Sequence, residues 1–239
     1  MDPSYVAAHI EASPAHWWFR ARLAIILACL RHVLPRRKLH LLELGCGTGD
    51  VLAALGEFGE TIGMEPHPEL AAVARRRGLD VRDGQLPGDL VVSSGWADVV
   101  LLLDVLEHLD DDIAALGTAG RALVPGGRLV VTVPAYAWLW SGHDVMLGHR
   151  RRYTAGGLAR LIAAAGFRVE RLTYFNTLLF PAVAGRRMWK RARGDARHDL
   201  EESSPGLNAC LERVFALERH VVPHASLPFG ASLLVLARR

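Results

Sequence analysis

The chain has 239 residues of ordinary globular composition, 51% hydrophobic and 22% charged, enough to bury a core in one or two domains without disulfide or metal staples. Its cysteines, Cys29, Cys46 and Cys210, lie far apart with no CxxC spacing, which argues for a reducing compartment and against a zinc site. The net charge is +3, nearly all the positive charge is arginine, and the densest runs (36–38, 75–77 and 150–152) are too short to read as a nucleic-acid patch.

The first residues show no basic region followed by an apolar core, and the longest apolar stretches, 23–30 and 99–103, are too short to span a bilayer. A cytoplasmic location is expected. Residues 16–34 read as a helix with Leu23, Ile26, Leu27 and Leu30 at helical spacing, ended by Pro35 and opened by the aromatic group His16-Trp17-Trp18-Phe19. Residues 39–44 form a continuous apolar run that suits a buried parallel strand.

A βα rhythm follows: helix 50–58, strand 61–64, helix 68–77, strand 79–82, strand 97–103, helix 111–123, a turn at 125–127 and strand 128–133. Residues 135–153 then read as a long loop rich in Trp, His and Arg, which makes it a functional candidate. A helix with Leu158, Leu161 and Ile162 on its core face, a strand at 167–174, a largely helical stretch over 180–225 and a final strand at 231–237 complete the chain. Residues 194–205 are the best candidate for a flexible loop.

The sharpest local feature is Glu43-Leu44-Gly45-Cys46-Gly47-Thr48-Gly49-Asp50, between a strand and a helix. Glycines at 45, 47 and 49 permit a tight turn with bare backbone against a ligand, and the following helix start suits a carboxylate. A dinucleotide fingerprint needs Gly or Ala where Asp50 stands, so nicotinamide and flavin cofactors are disfavoured. Glu65, followed by Pro66, ends the second strand, where a carboxylate can accept both hydroxyls of a ribose. Asp83 and Gln85 are equal candidates for an adenine contact. Asp104, with Val105 and His108, follows the fourth strand at the carboxyl end of the sheet, where ligands of open α/β sheets lie.

This ordered set, closed by Leu123-Val124-Pro125-Gly126-Gly127, resembles the class I S-adenosylmethionine-dependent methyltransferases over about residues 39–135, particularly their small-molecule branch. The resemblance implies an α/β, Rossmann-like three-layer sandwich whose seven-stranded sheet runs 3-2-1-4-5-7-6 with strand 7 antiparallel. It implies a single domain: an N-terminal helical lid (1–37), a core (38–175 and 226–239) and a helical insertion between strands 6 and 7 (176–225). It implies S-adenosyl-L-methionine as cofactor, with Glu43, Gly45, Gly47 and Gly49 on its amino-acid part and Glu65 on its ribose. Cys46 is read as packing within the turn rather than a nucleophile.

Methyl transfer from a sulfonium is an in-line displacement, so the protein must align the partners, exclude water and, for a hydroxyl acceptor, take a proton. The 135–153 segment is similar to the corresponding part of ubiquinone-type O-methyltransferases, with a His-Asp pair before basic residues. His143, Asp144, His149 and Tyr153 are therefore the expected catalytic residues of an O-methyltransfer to a small molecule. Hydrogen bonds that merely pin the loop, or a metal site from His143, Asp144 and His149, are the alternatives for the histidines; no metal is expected. Trp17, Trp18, Tyr136 and Trp138 are expected substrate contacts, the first two as a lid or as core. Arg151 and Arg152 would clamp an acidic group or form a solvated face. A non-catalytic cofactor-binding or partner module, and a nucleic-acid methyltransferase, are the competing readings; no nucleic-acid partner and no stable membrane insertion are expected.

Overall fold

Seven strands pair into one sheet in the computed structural model, which describes residues 16–192 and 204–239. They are β1 (Leu39–Leu44), β2 (Gly59–Glu65), β3 (Val81–Asp83), β4 (Ala97–Leu103), β5 (Leu123–Pro134), β6 (Arg168–Phe175) and β7 (Ser232–Arg238). The order is β3-β2-β1-β4-β5-β7-β6, mixed, with β7 antiparallel and helices around it, as the resemblance implied. β1 pairs in parallel with both β2 and β4, setting Leu42 opposite Ile62 on one side and Val100 on the other. A strand covered on both faces loses no solvation by being apolar throughout, which is why 39–44 and 97–103 read as unbroken hydrophobic runs.

The chain divides into two compact units. One comprises residues 35–133, 155–172 and 234–239. In it, α2 (Asp50–Leu55) follows the glycine turn, and α3 (Pro68–Arg76) starts with proline at its first turn. Helix α4 (Asp112–Ala122) is capped by Asp111, whose carboxylate accepts from the Ala114 amide at 2.8 Å. The 125–127 turn expected before strand 5 lies within β5 itself, because Leu123 already pairs with Ala97 before the register shifts toward Val99. Helix α6 (Ala155–Ala164) buries Leu158 and Ile162, with Leu161 only half-buried.

The other unit comprises the described residues of 16–34, 134–154 and 173–233. Helix α1 (Trp17–Val33) buries Ala21, Arg22, Ile25, Ile26, Cys29 and Leu30. That face is rotated from the expected one; Leu23 and Leu27 are half-buried, while Ala21, Arg22, Ile25 and Cys29 are buried. The long loop expected at 135–153 contains a helical turn (Ala137–Leu139) and α5 (Gly142–Leu147). Ser141 and Asp144 form a reciprocal capping box at its start, and left-handed Gly148 ends it.

Helices α7 (Phe180–Ala192) and α8 (Pro205–Ala216) account for the helical stretch, while 194–203 of the expected flexible loop lie outside the described residues. Helix α8 meets α1 through Trp17 N–H to Asn208 Oδ1 (3.0 Å), the Arg20–Glu212 pair (3.3 Å) and an edge-on Trp17–Phe215 contact. No described helix is long and apolar enough to cross a membrane.

Glu218 closes this unit. Its buried carboxylate accepts the amides of Asn176 (2.7 Å), Thr177 (2.7 Å) and Leu178 (2.9 Å), fixing the turn at left-handed Asn176 that leads into α7. Replacing Glu218 with Ala strips the acceptor from these three amides at once. Guanidinium unfolding should show a loss of about 3 kcal/mol; a change below about 0.5 kcal/mol, the level of a surface substitution, would contradict the role.

Candidate active site

In the unit holding residues 35–133, the parallel register brings the end of β1 beside the end of β2. Leu44 lies opposite Met64, so the chain turns just beyond, and the amides of Gly45 (2.7 Å) and Cys46 (3.1 Å) both donate to the Met64 carbonyl. The turn needs left-handed backbone at Gly45 (φ 79°), Gly47 (φ 55°) and Gly49 (φ 81°). Space is lacking as well: a Cβ on Gly45 would meet Val105 at 2.7 Å, and one on Gly49 would meet Leu79 at 2.5 Å.

Glu65 is 3% exposed, and its carboxylate spans the gap between the turn and the next loop. One oxygen accepts the Gly47 amide (2.8 Å) and the other the His67 amide (3.0 Å). A carboxylate offers about four lone-pair directions, so each oxygen keeps acceptor capacity for a hydroxyl. Burial pushes the Glu65 carboxyl up from its ordinary value, with the His67 and Gly47 amides opposing. Glu43 is also buried, at the end of β1.

Cys46 is buried, its thiol pushed well up by burial and then by the Glu43 and Glu65 charges. A protonated thiol is a poor nucleophile, and its sulfur lies where a Cβ on Gly63 would come within 2.6 Å. It fills space under the turn.

Asp104 follows β4 with φ 57° and accepts the Thr132 hydroxyl at 3.1 Å, while its amide donates to the Thr132 carbonyl. Val105 packs on Gly45, and His108 is half-buried in the helical turn Leu106–His108. Asp83 is exposed and bound by Arg75 at 2.7 Å, which occupies the carboxylate expected to face adenine. Gln85 and Pro66 are exposed, and the Gln85 amide donates to Asp89.

In the sequence Arg77 stands out only as part of a basic run. It ends α3, and its guanidinium donates to the Thr48 carbonyl and to Asp50 Oδ1, both at 2.7 Å. Thr48 in turn donates to Asp50 Oδ2 (2.8 Å). The far end of the glycine turn is thus held from a helix 29 residues away.

In the other unit, Asp144 is wholly buried at the centre of a charged cluster. Arg152 binds it through Nε (2.7 Å) and Nη2 (3.0 Å), the His149 ring Nδ1 lies at 2.9 Å, the Ser141 amide donates at 2.9 Å, and Arg187 stands at 3.9 Å. Burial raises the carboxyl, but the His149 hydrogen bond, the Arg152 charge and the Ser141 amide outweigh it and hold the group below the ordinary carboxylate range. Arg152 also donates to the Ala135 carbonyl at 3.0 Å. His143, in the first turn of α5, and Arg151 are half-buried.

Tyr153 is buried, and its backbone pairs with Pro134 and Tyr136. Tyr136 stacks on Tyr174 (5.2 Å) and touches Trp138 and Phe180; burial and the Tyr174 hydrogen bond push its hydroxyl up to about 12. Trp138 is half exposed. Trp17 and Trp18 are half-buried, Trp17 on Phe215 and Trp18 beside Phe19 with the Arg22 guanidinium over its ring. These contacts are of the packing kind.

The sequence-predicted residues therefore gather in two sets: Gly45 to Gly49 with Glu65, and Asp144 with His149 and Arg152. Asp83 is drawn off by Arg75.

Comparison with known proteins places the chain. A family described as a methyltransferase domain matches residues 16–172. A probable S-adenosylmethionine-dependent methyltransferase of Mycolicibacterium smegmatis is 33% identical over 162 residues, 65% of this chain; the chain spans 61% of that relative's length. A ubiquinone biosynthesis O-methyltransferase of Azorhizobium caulinodans is 28% identical over 80% of this chain and 89% of its own. Among solved structures, an S-adenosylmethionine-dependent methyltransferase from Mesorhizobium loti superposes with a TM-score of 0.60 at 17% identity, covering 90% of this chain and 98% of that one. One chain of the complex between the Haloferax volcanii Trm112 methyltransferase activator and a methyltransferase gives 0.65 at 18% identity, covering 98% and 94%.

The fold and the glycine turn with its carboxylate are those of an α/β protein of the methyltransferase kind. The chain belongs to the class I S-adenosylmethionine-dependent methyltransferase family, whose cofactor is S-adenosyl-L-methionine. The residues present fit that group: a turn of left-handed glycine backbone beside a buried acid with acceptor capacity for a ribose.

Replacing Arg77 with Ala should weaken S-adenosylhomocysteine binding about fivefold by calorimetry, the loss of one charged hydrogen bond at a part-exposed site, while Lys at 77 restores part of it. Unchanged affinity in the Ala variant would remove Arg77 from the site. For Asp144 the pH sign follows from its lowered pKa. Its contribution is complete above the ordinary carboxylate value and is lost as pH falls through the depressed one. Asp144→Asn should cost about 3–5 kcal/mol at neutral pH, because buried Arg152 loses its counter-charge. It should also flatten the acid limb of the unfolding profile below about pH 4. A parallel pair of profiles for parent and variant would refute this.

Proposed function

We propose that the chain transfers a methyl group from S-adenosylmethionine to a hydroxyl of a small-molecule acceptor. The observation that carries the cofactor half is the Glu65 carboxylate bridging the glycine turn and the following loop. The O-directed half is supported by the relative named a ubiquinone biosynthesis O-methyltransferase and by the His143-Asp144 pair, since a hydroxyl must lose its proton.

The cofactor supplies an activated methyl on a sulfonium. Glu43 and the amides of Gly45, Cys46, Gly47 and Gly49 hold its amino-acid part, and Glu65 with Pro66 holds the ribose. Gln85 takes the adenine edge in preference to Asp83, whose carboxylate Arg75 occupies. Asp104, Val105 and His108 border the methionyl end. His143 accepts the hydroxyl proton. Asp144 and His149 act as positioning residues that fix the start of α5, a role suited to groups with no more than 7% side-chain exposure. Arg152 shares that role, Arg151 meets an anionic group of the acceptor, and Tyr153 fixes the segment carrying Tyr136. Trp17, Trp18, Tyr136 and Trp138 supply apolar walls.

The test is calorimetry with S-adenosylhomocysteine followed by transfer of labelled methyl to phenols, alcohols, amines and RNA. Micromolar binding with label in hydroxyl compounds is expected. Glu65→Ala should weaken binding by about tenfold or more, the loss of a charged hydrogen-bond pair. His143→Ala should lower kcat by about a hundredfold while leaving cofactor affinity within twofold, as for loss of a general base. Absence of cofactor binding would defeat the reading, and binding without transfer to any acceptor would replace it with a cofactor-binding module.

A further inference from the structure

Helix α7 has an inward and an outward arc. Phe180 contacts Trp138 and Tyr136 at ring distances of 6.0 and 5.8 Å, Val183 and Ala184 are half-buried, and Arg187 donates to the Leu139 carbonyl at 2.8 Å. Positions 180, 183, 184 and 187 lie on one side of a helix and form the packed face. The opposite arc carries Pro181, Ala182, Gly185, Met188 and Trp189, all exposed.

A surface helix ordinarily turns its polar residues outward. Here the outward arc is apolar, with Met188 63% and Trp189 54% exposed and Arg186 at its flank. Apolar exposure continues at the helix start with Leu178 at 52%, Phe229 at 43% and Trp138 at 50%, the last two in ring contact with Phe180. The helix is also cationic in sequence: residues 180–192 contain four arginines and lysines and no Asp or Glu, with Arg187 on the packed face.

We propose that this helix docks on an anionic lipid surface, Met188 and Trp189 entering the headgroup region and the cationic segment supplying the attraction. Each part has a physical reason. Tryptophan is the side chain suited to the interface between water and hydrocarbon. A helix with an apolar arc and no acid lies flat in that interface when the lipids are negative. A nucleic-acid surface would be met by cations along the outward arc, whereas here that arc presents proline, alanine, glycine and methionine. The proposal concerns where the protein sits, and none of the residues invoked binds the cofactor.

The experiment uses the full chain and flotation with vesicles of phosphatidylcholine alone or with about 30 mol % phosphatidylserine, a strongly anionic surface. Partition onto the anionic vesicles should exceed that onto neutral ones by about tenfold and fall as salt is raised. The double variant Met188→Ser, Trp189→Ser should lose about tenfold in partition, with thermal stability and S-adenosylhomocysteine binding unchanged. Met188→Leu with Trp189→Phe should retain most of it. Failure to float with anionic vesicles, or equal flotation of the serine variant, would overturn the proposal. So would a dimer in light scattering that the serine variant abolishes, or RNA binding lost in that variant without any vesicle binding.

Discussion

Burying a carboxylate costs free energy unless hydrogen bonds replace the lost water, and in the unit of residues 35–133 that requirement falls on Glu65. The two donors that meet it, the amides of Gly47 and His67, belong to different loops, so the acid can be satisfied only when both loops lie at the end of β2. The parallel register of β1 and β2 brings them there. Slipping the pairing by one residue would swap the faces of the strand and remove the Met64 carbonyl from the Gly45 and Cys46 amides. Sheet register, glycine turn and buried acid are one arrangement seen from three sides.

The same device recurs with different donors. Glu218 holds the turn at 176–178 with three neutral amides, and Asp144 holds the start of α5 with cations as well as amides. The donors decide the response to pH. Amides do not overcome burial at Glu65 and Glu218, whose carboxyls are raised, so the stability tied to them is complete below the ordinary carboxylate value and lost as pH rises through the raised one. At Asp144 the cations prevail and the sign reverses. Each acid pins a turn, but only Asp144 gains from being charged.

Class and reaction rest on different kinds of observation. The solved structures resemble this chain at 17–18% identity, which establishes the fold, and a fold hosts many chemistries. The family match and the fit of the glycine turn bring in the cofactor. The acceptor is a matter of proposal, and the residues proposed to meet it lie largely in the 134–154 segment. In that segment a buried ion cluster, rather than sequence proximity, decides which groups are committed to architecture.

Much of this was legible in the sequence because its causes are local. Strands β1 and β4 fall at the residues read from their apolar runs, and glycines 45, 47 and 49 announce a left-handed turn wherever they are placed. The helix within 135–153 has a local signal, the capping-box spacing of Ser141 and Asp144, which the density of aromatic and basic residues masks. What the sequence by itself determined was the order of elements, the bare-backbone turn and the acid sixteen residues beyond it. What only the tertiary structure decided was partnership. Arg77 grips Thr48 across 29 residues, Arg75 claims Asp83, and Asp144 is enclosed by Arg152 and Arg187. An arginine's long stem and several donors can reach acceptors on many segments, so its role depends on which segments folding brings beside it, and no local pattern encodes that.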